Sequence, residues 1–232
     1  MEGSPVPDRL REHFSNPETI ARYVEGPPRF VPGFFDIHRM ADVLLRERVP
    51  EAGRLLVVGA GGGLEIRSFA EANPEWTFVG VDPSAEMLAL ARQVAGATDR
   101  VDLVHGLVDD APPGPFDGAT CLLTLHFLDR EARRHTLREI RRRLAPGAPF
   151  IIAHSSFPQA PDQRSHWLER YRAFAVAAGA EPGNAEHWRE AVEAQLTLLD
   201  PEEEERLLVE AGFSGVSAFY AAFTWRGWVA YA

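Results

Sequence analysis

The stretch LLVVGAGGGLEI, residues 55–66, decides the fold of this 232-residue chain. An apolar run stops on Gly59, Gly61, Gly62 and Gly63, interrupted only by Ala60, and a helical pattern follows. Glycines at a strand-to-helix turn let the backbone approach a ligand where a Cβ would otherwise stand. A P-loop requires Lys and Ser/Thr after its last glycine. Leu64 and Glu65 follow Gly63, so that reading fails. A dinucleotide turn, G-x-G-x-x-G, would put its third glycine at position 64. That position is Leu64, and the glycine comes one place earlier. The turn is therefore G-x-G-x-G, with close backbone approach but without the dinucleotide spacing.

Working outward, the chain alternates strand and helix. RLLVV is a continuous apolar run, as a strand buried on both faces requires, and LEIRSFAEA carries Ile66, Phe69 and Ala70 on one side. TFVGVD reads as a second strand, and SAEMLALARQVA as a helix with Ser84 as its N-cap. VDLVHG, FDGATCLLTL and PFIIAHSSF read as further strands, with the helix REARRHTLREIRRRLAPG before the last. This order predicts a parallel sheet covered by helices on both faces. Residues 158–212 read as three helices, with Trp167, Leu168, Tyr171, Phe174, Ala175 and Ala178 on one face of the first. Two strands finish the chain, with Arg226-Gly227 as the expected hairpin turn. Ahead of the glycine turn, EGPPRFVPGFF reads as a loop and DIHRMADVLLRERV as an amphipathic helix. We therefore expect one domain: a helical cap (1–52), a cofactor-binding core (54–157), a helical insertion (158–212) and a terminal strand pair (213–232).

Asp82 ends the second strand. A carboxylate there accepts hydrogen bonds from ribose hydroxyls, in nicotinamide enzymes as elsewhere. It supports a nucleoside cofactor without choosing which. Gly106, Leu107 and Val108 follow the third strand, and Leu122 and Leu123 the fourth. The leucines read either as an apolar wall of the site or as core packing.

The G-x-G-x-G turn, the acidic strand end and the order of elements resemble the class I S-adenosylmethionine-dependent methyltransferases. The resemblance implies a Rossmann-like, doubly wound seven-stranded sheet, mostly parallel with an antiparallel C-terminal strand. The blocks RFVPGFFDIHRMADVLLRE, LTLHFLDREARRHTLREIRRRLAPGA and LTLLDPEEEERLLVEAGFSGV further resemble the tRNA wobble-uridine carboxymethyltransferases, from about residue 18 to the C-terminus. Carried over residue by residue, Gly59, Ala60, Gly61 and Gly63 form the glycine turn, Asp82-Pro83 the ribose position, Leu107-Val108 the adenine pair and Leu122 a wall beside it. The chain departs from that family where the family grips a carboxylated cofactor. A tyrosine is replaced by Phe34, an arginine by Leu207 with Arg206 one residue earlier, an asparagine by Leu122, and the aspartate of the adenine pair by Leu107. A buried carboxylate without a cationic partner is costly. We therefore expect ordinary S-adenosylmethionine as cofactor, S-adenosylhomocysteine as product, and methyl as the group transferred.

Methyl transfer from a sulfonium is an in-line displacement and needs a base only when the acceptor must lose a proton. His126 and His154, after the fourth and fifth strands, are the candidate bases, with His38 and Asp36 behind them; hydrogen-bonded structural histidines are the alternative. No histidine spacing suggests a metal site. Seven arginines between Arg130 and Arg143 read as a solvated helix face rather than an RNA surface, and Glu202 to Glu205 as a solvated helix N-terminus. A small-molecule acceptor ranks first and tRNA second. The aromatic residues of the insertion fit an acceptor cover, a packed core or a homodimer interface. A nicotinamide-dependent oxidoreductase and a non-catalytic cofactor-binding protein stay open.

Composition sets the outer bounds. The net charge of −10 opposes non-specific attraction to a phosphate backbone. The single cysteine excludes an internal disulfide or a multi-thiolate zinc site. With no apolar run near the roughly 20 residues of a membrane span and no signal-like N-terminus, a cytoplasmic protein is expected.

Overall fold

The structure, a computed structural model, describes residues 26–96 and 98–232. The first part of the expected cap, residues 1–25, lies outside the described residues. The expected loop after it contains a helical turn, α1 (Pro27–Phe30), because proline at the first helical position lacks only an N–H that would have gone unbonded. Helix α2 (Phe34–Arg46) buries Phe34, Ile37, Ala41 and Leu45 at helical spacing.

Strand β1 (Arg54–Val58) runs into the glycine turn and helix α3 (Leu64–Ala72). Then come β2 (Thr77–Asp82), α4 (Ala85–Val94), β3 (Val101–His105), β4 (Gly118–Leu122), α5 (Arg130–Arg143) and β5 (Pro149–Ser155). Helices α6 (Pro161–Ala177), α7 (Pro182–Gln195) and α8 (Pro201–Glu210) fill the interval before β6 (Ser214–Ala222) and β7 (Trp225–Tyr231).

The seven strands form one sheet in the order β3-β2-β1-β4-β5-β7-β6. The first five are parallel to their neighbours, and β7 is antiparallel to both β5 and β6. Because side chains alternate across a strand, β1 feeds two cores. Leu56 and Val58 enter the one with Phe116, Ile140, Phe150 and Trp228; Leu55 and Val57 enter the one with Ile66, Phe69, Phe78 and Val229. Strand order reverses between β1 and β4, and loops leaving the two diverge there. A crevice at their carboxyl ends follows from this topology.

Three local expectations are corrected. The hairpin turns at Phe223-Thr224, while Arg226 and Gly227 pair inside the ladder with Ala221 and Tyr220. Gly227 is there because a Cβ would stand 2.8 Å from Phe219 Cζ. On α6, Leu168, Tyr171 and Ala175 are buried, but Ala178, just past its end, is exposed. Arg133, Arg143 and Glu204 are not solvated: they are 0%, 3% and 1% exposed. Arg133 pairs with Glu204, and Arg143 with Glu139. Charge alone cannot distinguish an outward residue from one that meets an opposite charge in the interior.

Candidate functional site

The glycine turn is held by a small set of backbone bonds. The Gly59 and Ala60 N–H groups both donate to the Val81 carbonyl at 2.9 Å, tying the turn to the end of β2. Gly59, Gly61 and Gly63 take φ of +75°, +46° and +77°, the left-handed region where only glycine is free of strain. Gly59 also has no room for a side chain, since a Cβ would lie 2.1 Å from Thr124 Oγ1 on the loop after β4.

Asp82 closes the turn from the neighbouring strand. Its Oδ2 accepts from Gly61 N at 2.8 Å and its Oδ1 from Ser84 N at 2.9 Å. Burial pushes its pKa up, opposed by those two amide bonds and by His105. A carboxylate offers about four acceptor positions. Two therefore stay available toward the crevice after the amides are satisfied.

The crevice above these strands is one continuous pocket. Val58, Gly59, Gly61 and Leu122 line its floor, with Val81, Asp82, Pro83 and Met87 on one side. Gly106, Leu107, Val108 and Asp109 come from the end of β3. Leu123, Thr124, Phe127 and Leu128 come from the loop after β4, and Ala132, His135 and Thr136 from α5. The β3 loop is pinned: Leu107 N donates to Asp110 Oδ2 at 2.9 Å, and the buried Arg143 donates from Nη2 to the Asp109 carbonyl at 3.0 Å. Leu123 adopts φ of +56° and donates to the Ala153 carbonyl at 2.6 Å, which bends the chain sharply at the end of β4.

Of the expected site residues, Gly59, Gly61, Asp82, Pro83, Leu107, Val108 and Leu122 meet on this wall. Five others do not. Ala60 is buried against Gly80, and Gly63 packs on α4, where a Cβ would lie 2.8 Å from Ala91 Cα. Phe34 is buried on α2 and packs edge-on to His38 at 4.8 Å between ring centroids.

His126 and His154 are corrected as bases. His126 is 3% exposed, and its Nδ1 accepts from Ser155 N at 3.1 Å. That bond occupies the lone pair of the neutral ring, so Nε2 carries the proton. Burial first, then His154 and Arg133, hold its pKa well below 6.5. His154 is 0% exposed, with Nε2 3.0 Å from Glu204 Oε1. Both rings point into the protein.

Sequence reasoning missed Asp109, Thr124, Phe127, His135 and Thr136. Asp109 directly follows the expected adenine pair and so carried a signal. His135 carried none, because its helix reaches the site only in the folded chain. Leu207, where the resemblance implies a carboxylate-gripping arginine, is 3% exposed in the core, and Arg206 points outward to the Glu202 carbonyl. No lysine or arginine lines the pocket among the described residues. Nor do the described residues hold a group of three or more potential metal ligands, or a helix long and apolar enough to cross a membrane.

Comparison with known proteins agrees with this geometry. Residues 56–150 match the family described as a methyltransferase domain. The carboxy-S-adenosyl-L-methionine synthase of Chromohalobacter salexigens is 26% identical over 231 residues, covering 97% of this chain and 85% of that protein. The trans-aconitate 2-methyltransferase of Azoarcus sp. is 33% identical over 130 residues, 56% of this chain and 48% of that one. Among solved structures, the pyocyanin biosynthetic protein PhzM matches with a TM-score of 0.68 at 20% identity, over 95% of this chain and 60% of PhzM. That last likeness establishes the fold alone. The methyltransferase-domain match spans β1 to β5, and within that stretch the glycine turn and the acidic strand end meet in one crevice.

Proposed function

We propose that the protein transfers a methyl group from S-adenosylmethionine to a small-molecule acceptor. The observation that carries this reading is the bond from Gly61 N to Asp82, which joins the bare backbone turn to a carboxylate on one pocket wall. Gly59 and Gly61 leave room for the amino-acid part of the cofactor, Asp82 accepts from the ribose hydroxyls, and Pro83, Leu107 and Val108 flank the base. When bound, the cofactor supplies a methyl group on a sulfonium. Leu122, Leu123, Phe127 and Leu128 give the neighbouring wall an apolar character that excludes water and leaves orientation as the main catalytic device. We infer that the chain works as a single domain, as its sequence leads us to expect.

Two observations support a small acceptor and the ordinary cofactor. Arg130, Arg133, Arg134, Arg142 and Arg143 on α5 are engaged by glutamates, which removes most of the basic face an RNA backbone would need. Among the described residues, the pocket also lacks the cation that a carboxylated cofactor calls for, a point against carrying over the activity in the synthases' name.

The test is calorimetry with S-adenosylhomocysteine, NADH and carboxy-S-adenosylmethionine, followed by labelled methyl transfer into cell extract split into small-molecule and tRNA fractions. We expect S-adenosylhomocysteine to bind, at least tenfold weaker to Asp82→Ala, and label to enter the small-molecule fraction. Preferential binding of NADH or of the carboxylated cofactor, or binding without turnover, overturns the reading.

A further inference from the structure

We propose that Arg226 and Arg170, gathered on Trp167 where α6 meets the β6–β7 hairpin, anchor a carboxylate of the methyl acceptor, which is therefore an anionic small molecule. This rests on the methyl-transfer reading above and deepens it by naming the acceptor's chemical class. Trp167 and Arg170 stand one turn apart on α6, and Arg226 opens β7. Arg170 Cζ lies 4.3 Å and Arg226 Cζ 5.7 Å from the Trp167 ring. Further along α6, Phe174 meets Phe223 of the hairpin turn at 5.8 Å between ring centroids, so helix and hairpin lie side by side.

All three residues of the cluster are half-buried. Neither arginine has an ion-pair partner among the described residues, in a chain whose net charge is −10. Glu169, beside Arg170 in sequence, turns instead to Arg172 at 3.0 Å. Burial pulls the Arg226 pKa down, and Tyr220 and Glu202 oppose it without forming an ion pair. A partly desolvated cation without a counter-ion is costly, and two of them on one ring repel. An incoming anion relieves both terms.

The Arg226 guanidinium is also oriented. Its Nη1 donates to the Phe223 carbonyl at 2.7 Å and to the Trp225 carbonyl at 2.8 Å. The Nε–H and Nη2–H groups, the parallel edge that meets a carboxylate at two points, have no partner among the described residues. The cluster adjoins the cofactor pocket through its neighbours. Trp225, immediately before Arg226, packs edge-on to His126 at 5.7 Å, and Phe127, next to His126, lines the pocket. An acceptor held here by its carboxylate extends toward the loop after β4.

The experiment passes the small-molecule fraction of a cell extract over an anion-exchange resin and supplies each part to the full chain with labelled S-adenosylmethionine. We expect label to enter the retained part alone, and to do so equally after that part is treated with phosphatase. Arg226→Gln and Arg170→Gln are each expected to raise the amount of retained fraction giving half-maximal rate about tenfold or more, with the saturated rate changed less than about threefold, the mark of lost ground-state binding. Arg226→Lys falls between wild type and Arg226→Gln. Thermal melts and S-adenosylhomocysteine calorimetry are expected to match the wild type in all three. Should Arg226→Gln melt early, Arg170→Gln carries the comparison, since Arg170 makes no hydrogen bond to the described residues. Label entering the unretained part, loss of the acceptor to phosphatase, or unchanged half-saturation in the folded glutamine variants overturns this inference and leaves the function above standing. Binding of S-adenosylhomocysteine with no transfer into either part overturns the methyl-transfer reading, and this inference with it.

Discussion

Arg133 and Glu204, 71 residues apart in sequence, form a buried ion pair that joins α5 to α8 behind the cofactor pocket. The Arg133 guanidinium also donates from Nε to the Leu125 carbonyl at 3.1 Å and from Nη2 to the Leu128 and Thr197 carbonyls at 3.3 and 2.6 Å. Glu204 meets His154 on its other side. One cation thus fixes the loop after β4, which supplies a pocket wall, against the segment leading into α8.

Breaking such a pair strands a buried charge and costs about 3–5 kcal/mol, whereas replacing both partners by apolar residues is often neutral. We expect Arg133→Met and Glu204→Leu singly to lose stability on that scale and the double variant to recover most of it. Urea unfolding of the four proteins measures this. Single losses below about 1 kcal/mol, or an additive double loss, would contradict it.

The glycines of the turn separate by what their missing Cβ would strike. Gly59→Ala drives a methyl into Thr124 on the pocket wall and is expected to weaken S-adenosylhomocysteine binding at least tenfold. Gly63→Ala meets the backbone of Ala91 on α4; with the cost of a left-handed alanine it should lose about 1–3 kcal/mol of stability, with a smaller effect on binding in the protein that remains folded. Calorimetry and thermal unfolding of the two variants separate the roles, and equal binding losses would refute the distinction.

Glu65 gives a pH signature. It is 7% exposed, accepts from Thr120 Oγ1 at 2.5 Å, and is pushed by burial to a pKa of about 8, the Thr120 bond opposing. Its folded pKa lies above the unfolded value, so the folded state holds the proton more tightly. The resulting stability is present in full below about pH 4.5 and is lost as pH rises to about 8. A tenfold change in proton affinity corresponds to about 1.4 kcal/mol. Glu65→Gln removes the titration. Relative to the wild type it should gain a few kcal/mol between pH 5 and pH 8, read as the difference in unfolding free energy. A pH-independent difference would show that Glu65 titrates normally.

The part of the site legible in the sequence was local. Gly59, Gly61 and Asp82 sit at the ends of two strands whose apolar runs are unmistakable, and parallel pairing brings those ends together. The strand-end position of His126 and His154 misled, because it fixes where a residue begins but not which way its ring turns. His126 turns to the Ser155 amide and His154 to Glu204. Arg133 and Glu204 looked solvated because charge is normally outside; only their meeting across α5 and α8 makes burial tolerable.

By itself the sequence determined the alternating β/α order, the glycine turn and the carboxylate beside it, since each depends on residues close in the chain. Tertiary structure decided what long-range packing controls: the Arg133–Glu204 knot, the inward histidines, and the placing of His135 against Asp109. Those depend on helices and loops distant in sequence, whose relative direction no local pattern carries.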